Sequence, residues 1–369
     1  MQISSARTYG GGERHVVDLC RGLQERGHEV FASLRPTADW IRRLDFLPPD
    51  NLFKVSIRNS FGVLSAIRIA DFVRENEIDI IHAHVARDYI PASIASMSAR
   101  NAKLIITRHV MFPLKPFNRF ALKNVARAIA VSDAVLPDLV KIFSAQKACV
   151  IPNGTYIPQI DASAEEKMRI EFREQYSIPG DAPVIGTLGE LKALKGQHDL
   201  IQAAAEVVRE IPECRFVVVG RDNTDRGAYR DELKREAAEL GIADRFVWLE
   251  WLEDTAPFHA AIDVFVSPSH SESFGLAILE AMAYGKPIVA TATDGASQLV
   301  AECGRLVPIG APATLARDLI EVIRDKELCV EAGVKARRIA ERDFSLERMI
   351  AQTESLYLEV LAAERAAVG

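Results

Sequence analysis

Short β-branched runs alternate with amphipathic helical patterns along almost the whole chain, which narrows the fold to parallel sheets joined by crossover helices. In the first half the strand-like runs are 29–35, 53–58, 78–84, 103–109, 126–132 and 149–152. The segments between them are amphipathic. In 13–26, for instance, Val16, Val17, Leu19, Cys20 and Leu23 line one face, and Gly27 supplies a stop. A second series of strands follows at 184–188, 215–220, 246–249, 264–267, 288–292 and 305–308. Between the two series, 151–158 (IPNGTYIP) is rich in turn formers and reads as an interdomain linker. The opening strand is short: only Met1, Gln2 and Ile3 precede the Ser4-Ser5 turn, where about five or six residues are typical. A start placed too far downstream would account for that. The segment 345–363 is one long helical pattern with no strand after it.

A length of 369 residues implies two domains. Two consecutive Rossmann-like halves leave a cleft between them, and ligands of open α/β sheets sit beyond the carboxyl ends of the strands. Charge is uneven: residues 1–150 carry a net +7 and the remainder −13, within a total of −6. The imbalance fits two domains with different partners, and no broad basic face runs through the chain, so nucleic acid is not expected as a partner. Cys20, Cys149, Cys214, Cys303 and Cys329 never form a Cys-x-x-Cys pair, and they read as reduced core thiols rather than disulfide or zinc ligands. No apolar run reaches the roughly 18 residues of a membrane span. With no secretion signal at the N-terminus, a cytoplasmic protein is expected.

The most informative stretch is 267–287, SPSHSESFGLAILEAMAYGKP. A strand ends at Ser267, a loop carries Glu272, and a helix starts near Phe274, with Gly285 closing it before Pro287. The free N–H groups at such a helix start suit a phosphate. Glu280 lies roughly two turns inside, so one carboxylate can face a ligand at the tip and the other a group along the helix. Paired hydroxyls of a sugar or ribose suit such acceptors, although two solvated glutamates on a plain βα unit show the same spacing.

The whole string resembles the donor-binding signature of glycosyltransferase family 4, of the GT-B fold. The resemblance implies two Rossmann-like parallel-sheet domains facing across a cleft. Residues 1–156 would bind the acceptor and 157–344 a nucleotide-diphosphate sugar, while 345–369 form a helix packing back toward the first domain. It implies a retaining transfer of a hexose-like sugar to a glycan or lipid-linked acceptor, in cell-envelope polysaccharide synthesis, with no cofactor and no metal. By the family pattern Glu280 holds the ribose hydroxyls, Glu272 lies against the donor sugar, and the amides around Phe274, Gly275 and Leu276 bind sugar and phosphate oxygens.

Other stretches are similar to the same family. Gly10-Gly11-Gly12 precede the first helix, and glycines admit a bulky phosphate or sugar to the backbone; Gly11 and Gly12 are taken as substrate-binding. The spacing is not a dinucleotide fingerprint. His109 ends a strand where the family carries an active-site histidine, able to hydrogen-bond a sugar hydroxyl near neutral pH. His82 and His84 end the preceding strand. They are expected on opposite faces, with His84 toward the cleft, which argues against one metal shared by the pair.

The chain also departs from the family. Lys195 matches a lysine that grips the donor diphosphate, but Glu190 stands where an arginine is usual. Glu190 is expected to turn elsewhere or to bind a sugar hydroxyl, with Lys192 as a substitute cation. Glu250-Trp251 replaces a usual glycine, and Ser297-Gln298 a usual Pro-Glu pair. Catalysis is therefore assigned to His109, Lys195 and Glu272. The rivals are a non-catalytic donor-binding protein or another GT-B enzyme, a phosphorylase or epimerase. Finally, 89–132 holds seven Lys/Arg and no Asp or Glu, interleaved with Met111, Phe112, Leu114, Phe117 and Phe120. That mixture suits peripheral contact with an anionic membrane at the inner face of the plasma membrane, and equally an ordinary solvated basic face.

Overall fold

The computed structural model describes residues 1–57, 62–99, 102–159 and 161–368. The chain divides into two compact units, one of Met1–Gly154 with Leu346–Gly369 and one of Thr155–Ser345. The apolar residues of the strands are mostly buried, as parallel sheets covered on both faces require.

The first unit is built on β1 (Gln2–Ser4), β2 (Ala32–Leu34), β3 (Leu52–Lys54), β4 (Ile80–Ala83), β5 (Lys103–Arg108), β6 (Val125–Ala130) and β7 (Ala148–Val150). Their order is β3-β2-β1-β4-β5-β6-β7, and every pairing is parallel. Short as it is, β1 occupies an interior position between β2 and β4. The strands expected at 29–35 and 53–58 pair over only three residues each, and residue 58 lies outside the described residues. The long C-terminal helix, Leu346–Val368, belongs to this unit and places Met349, Ile350, Leu356, Tyr357 and Val360 in a core shared with Val16, Leu19, Cys20 and Leu23 of helix Gly11–Glu25.

The second unit carries β8 (Val184–Leu188), β9 (Arg215–Val219), β10 (Phe246–Leu249), β11 (Val264–Ser267), β12 (Ile288–Thr291) and β13 (Arg305–Val307). Its order is β10-β9-β8-β11-β12-β13, again parallel throughout. Strand order reverses between β1 and β4 in one sheet and between β8 and β11 in the other. A crevice opens at each reversal, beyond the carboxyl ends of the strands. Gly11 and Gly12 follow β1, His84 follows β4, Lys195 follows β8 and Glu272 follows β11, so most of the singled-out residues gather at the two reversals. Among the described residues no helix is long and apolar enough to cross a membrane.

Helix Gly11–Glu25 meets the C-terminal helix through Gly22, where a Cβ would lie 2.1 Å from Ile350 Cδ1 and 2.9 Å from Cγ1. Gly22→Ala gains about 1 kcal/mol of helix propensity but overpacks a β-branched neighbour, a cost of about 1–3 kcal/mol. A net fall in melting temperature is expected, partly recovered by Ile350→Val on the same background; an unchanged or raised melting temperature would contradict this packing.

Candidate functional site

In the second unit two loops are stitched together. The loop after β8 ends in Gly196, whose φ is +67° and where a Cβ would sit 2.0 Å from the Pro268 carbonyl oxygen. The neighbouring His270 N–H donates to the Leu194 carbonyl at 2.9 Å. This approach sets Lys195 against Glu272: Nζ donates to Oε2 at 2.5 Å, with 25% and 16% of the two side chains exposed. An ammonium has three N–H donors, so two remain for a further anion. Gly275, with φ of +100°, caps helix Leu276–Ala283. The helix therefore begins two residues later than the sequence pattern indicates, because Gly275 leaves the helical region. Glu280 consequently lies about one turn inside, not two. Phe274 is buried, its ring 5.9 Å from that of Phe344, leaving backbone rather than ring at this point of the loop. Gly295 lets the next helix close on the same loop: a Cβ there would come within 2.6 Å of Phe274 N and 2.8 Å of Glu272 O.

Glu280 is 5% exposed. It accepts a hydrogen bond from the Thr255 hydroxyl, and the buried His259 Nε2 stands 3.8 Å from Oε1. Neither neighbour was marked by the sequence pattern, since each comes from the segment before β11, some twenty residues away. Glu190 turns toward Lys192 Nζ at 2.5 Å and Asn223 Nδ2 at 2.9 Å. Burial pushes its carboxyl up, but those two hydrogen bonds and the charges of Lys192 and Lys195 outweigh that and hold it below the usual carboxylate range. Lys192 is thus paired with Glu190 itself, which tempers its use as a replacement for the usual arginine.

In the first unit the candidate residues gather around four histidines. His84 Nδ1 lies 3.3 Å from His109 Nε2, and the His15 ring is 4.9 Å from that of His109 and 5.5 Å from that of His84. A Cβ on Gly12 would lie 3.9 Å from His109 Cγ, an ordinary contact, so the helix start lies against that ring without the packing itself requiring glycine. Gly11 is the first residue of the same helix. The expectation that His82 and His84 point to opposite faces is overturned: both are buried on one side, ring centroids 4.2 Å apart. Side chains alternate along a strand with a period of two, so residues two apart share a face. The argument from opposite faces against a shared metal falls with it. Nitrogens of His15, His84 and His109 lie within 4.8 Å of one another, looser than the roughly 3.4 Å between ligands of a tetrahedral zinc. The pair that does approach so closely, His84 Nδ1 and His109 Nε2, is at hydrogen-bond distance. His15 was not singled out from sequence; its position four residues after Gly11 on the helix start was the available signal.

The match to known families follows the same division. The family model described as Glycosyltransferase Family 4 matches residues 9–157, and the one described as Glycosyl transferases group 1 matches 168–339. The chain belongs to glycosyltransferase family 4. This glycosyltransferase is 28% identical over 363 residues to the lipopolysaccharide core biosynthesis glycosyltransferase LpsE of Rhizobium meliloti, covering 96% of each chain. It is 26% identical to N-acetyl-alpha-D-glucosaminyl L-malate synthase of Bacillus anthracis, covering 98% of this chain and 97% of the other. Among solved structures, Anabaena HepE in complex with UDP and glucose superposes with a TM-score of 0.85 at 24% identity, over 97% of this chain and 98% of that one, a likeness of fold.

Burial keeps the four histidines neutral. It lowers His15 to about 4 and holds His82, His84 and His109 well below the usual histidine range, with mutual repulsion adding to the last three. Because the unfolded chain takes up these protons near pH 6.5 and the folded one does not, stability is full above about pH 6.5 and is lost as pH falls toward about 4. His15 alone accounts for up to about 3 kcal/mol of that loss. Replacing it with Gln is expected to flatten the dependence of unfolding free energy on pH between 6.5 and 4, measured by denaturant titration; an equally steep dependence would mean that this ring already ionises in the folded state.

Proposed function

We propose that this glycosyltransferase moves a hexose-like sugar, with retention of anomeric configuration, from a nucleotide-diphosphate sugar to a glycan or lipid-linked acceptor of the cell envelope. The observation that carries the donor reading is the Lys195–Glu272 contact at the mouth of helix Leu276–Ala283, with Glu280 buried one turn further on. Cation, free amides and two carboxylates then stand in the order diphosphate, sugar and ribose require. Lys195 and the amides at Phe274–Leu276 take the diphosphate, Glu272 a sugar hydroxyl and Glu280 the ribose hydroxyls. Solved HepE complexes with UDP and with UDP-glucose, and the lipopolysaccharide role in the name of LpsE, favour the same donor class and setting.

In the reaction the bond from the anomeric carbon to the diphosphate breaks while the acceptor oxygen bonds to that carbon from the same face. The acceptor proton passes to a departing phosphate oxygen. The first unit would hold the acceptor, with His84, His109, Gly11 and Gly12 as its candidate substrate contacts. Charge developing on the diphosphate meets donors already in place, and losing one such donor typically costs about 3–4 kcal/mol. Lys195→Ala and Glu272→Ala are each expected to reduce turnover by at least about two orders of magnitude while the melting curve is retained. Near-wild-type turnover in both would sink the site.

The proposal extends to a membrane face, which the surface of the first unit narrows. Of the basic run, Lys103 is half-buried, Arg108 is buried and donates to the Phe112 carbonyl, Arg127 pairs with Glu359, and Arg100 lies outside the described residues. Lys115, Arg119 and Lys123 remain exposed, beside Phe112 at 71%, Phe117 at 42% and Phe120 at 78%. Three cations near anionic lipid contribute about 1 kcal/mol each, and the rings add apolar insertion. The chain would then work peripherally on the cytoplasmic leaflet. Co-sedimentation with liposomes should require anionic lipid, weaken with salt and drop in Phe112→Ser/Phe120→Ser; salt-insensitive binding, or none, would remove the membrane from the proposal.

A further inference from the structure

We infer that Thr255 is a positioning residue for the donor: its hydroxyl orients the Glu280 carboxylate toward the ribose, and so sets how sharply the site distinguishes ribose from deoxyribose. The inference rests on the proposed role of Glu280 toward the ribose hydroxyls. Its basis is a closed ring of contacts inside the second unit. The Thr255 hydroxyl donates to Glu280 Oε1, while His259 Nε2 stands 3.8 Å from the same oxygen, beyond hydrogen-bond reach. The Glu280 carbonyl accepts from Tyr284 N–H at 3.1 Å. The Tyr284 ring stacks on that of His259, with centroids 4.5 Å and planes 13° apart. His259 N–H donates back to the Thr255 carbonyl at 2.9 Å, which closes the ring.

A threonine in this position ordinarily has another task. Thr255 is the residue before helix Ala256–Ala261, where a threonine side chain caps the helix by accepting one of its first N–H groups. Here the side chain makes no capping bond, and Asp254 Oδ1 accepts the Ala256 N–H at 2.9 Å instead. The hydroxyl is therefore engaged with the carboxylate and not with the helix. Phe258, His259 and Ala261 are buried, so the short helix is anchored and holds Thr255 in place. The last torsion of a glutamate is soft, and a carboxylate plane with no anchor turns easily. A fixed O–H on one oxygen removes that freedom before a ligand arrives. An ionised carboxylate has about four acceptor positions, enough for Thr255 and for the two hydroxyls of a ribose. A site built this way rejects a ligand that lacks one of those hydroxyls, because a buried acceptor is left without its donor.

The test is calorimetric binding to the full chain of UDP, GDP and ADP, each beside its deoxyribose counterpart, the tightest pair supplying a ratio of dissociation constants. The wild type is expected to favour the ribose form by about tenfold or more, since the deoxy form loses a hydrogen bond to a charged group. Thr255→Val keeps the shape and removes the hydroxyl; it should bring the ratio to about threefold or less, and Thr255→Ser should restore it. On a Glu280→Ala background Thr255→Val should leave the ratio where Glu280→Ala alone puts it, because the hydroxyl acts only through that carboxylate. A threonine that merely supports the fold would weaken both nucleotides alike and leave the ratio unmoved. A folded Thr255→Val with the wild-type ratio overturns the inference, as does failure of both Thr255→Val and Thr255→Ala to fold. The ribose reading of Glu280 fails separately: a wild-type ratio near one, or no nucleotide bound, removes it whatever the variants do.

Discussion

The site proposed for the second unit depends on one close backbone approach, that of Gly196 to the Pro268 carbonyl. A side chain of any other kind would place a Cβ 2.0 Å from that oxygen, and the left-handed φ of +67° adds strain. Glycine removes both obstacles, and the loops after β8 and β11 close on each other at the point where strand order reverses. The His270–Leu194 hydrogen bond then fixes the register, and Lys195 and Glu272 meet as a consequence. The geometry is thus set by sterics and backbone hydrogen bonds, with the ion pair resting on it. A partly buried pair is weak evidence for stability. Its value here lies in holding an ammonium with two spare N–H groups beside a helix start, before any ligand arrives.

Much of this was legible in the sequence because the residues concerned are local to one βα unit. The strands at Val184–Leu188, Phe246–Leu249 and Val264–Ser267 coincide with their apolar runs, since buried parallel strands need continuous β-branched and aromatic segments. The stretch from Ser267 to Pro287 carries its own turn, helix start and stop. The boundary that moved, from Phe274 to Leu276, depends on a positive φ at Gly275 that composition alone does not announce. Thr255, His259 and Asn223 were not legible, because each is brought to its carboxylate by another strand's connection.

The first unit shows a different limit. Its four rings come from a helix start and two strand ends, and the parity of a strand decides which of them share a face. Residues 82 and 84 lie on one side, which places four neutral imidazoles together instead of one beside a cleft. Gln2 and Tyr357 complete the cluster from opposite ends of the chain. No periodicity links positions so far apart; only the return of the C-terminal helix onto helix Gly11–Glu25 does so, through a core that Gly22 leaves room for.

Electrostatics in the second unit qualify the exchange of arginine for Glu190. An anionic diphosphate is proposed to bind in the half of the chain that carries the negative excess, so long-range attraction does not favour it. Locally, Glu190 with Lys192 and Glu272 with Lys195 form two pairs of opposite sign, and their formal charges cancel. What remains to hold a phosphate is directional: the unshared N–H groups of Lys195 and the amides at the start of helix Leu276–Ala283. Such a site gains less from net charge than one with a free arginine, and more from the fit of oxygens to donors already pointed. A grip of that kind tightens most where negative charge concentrates on those oxygens, as it does when the sugar departs. Losing the arginine therefore weakens ground-state attraction more than it weakens stabilisation of the leaving group, and an active transferase can tolerate a glutamate at 190.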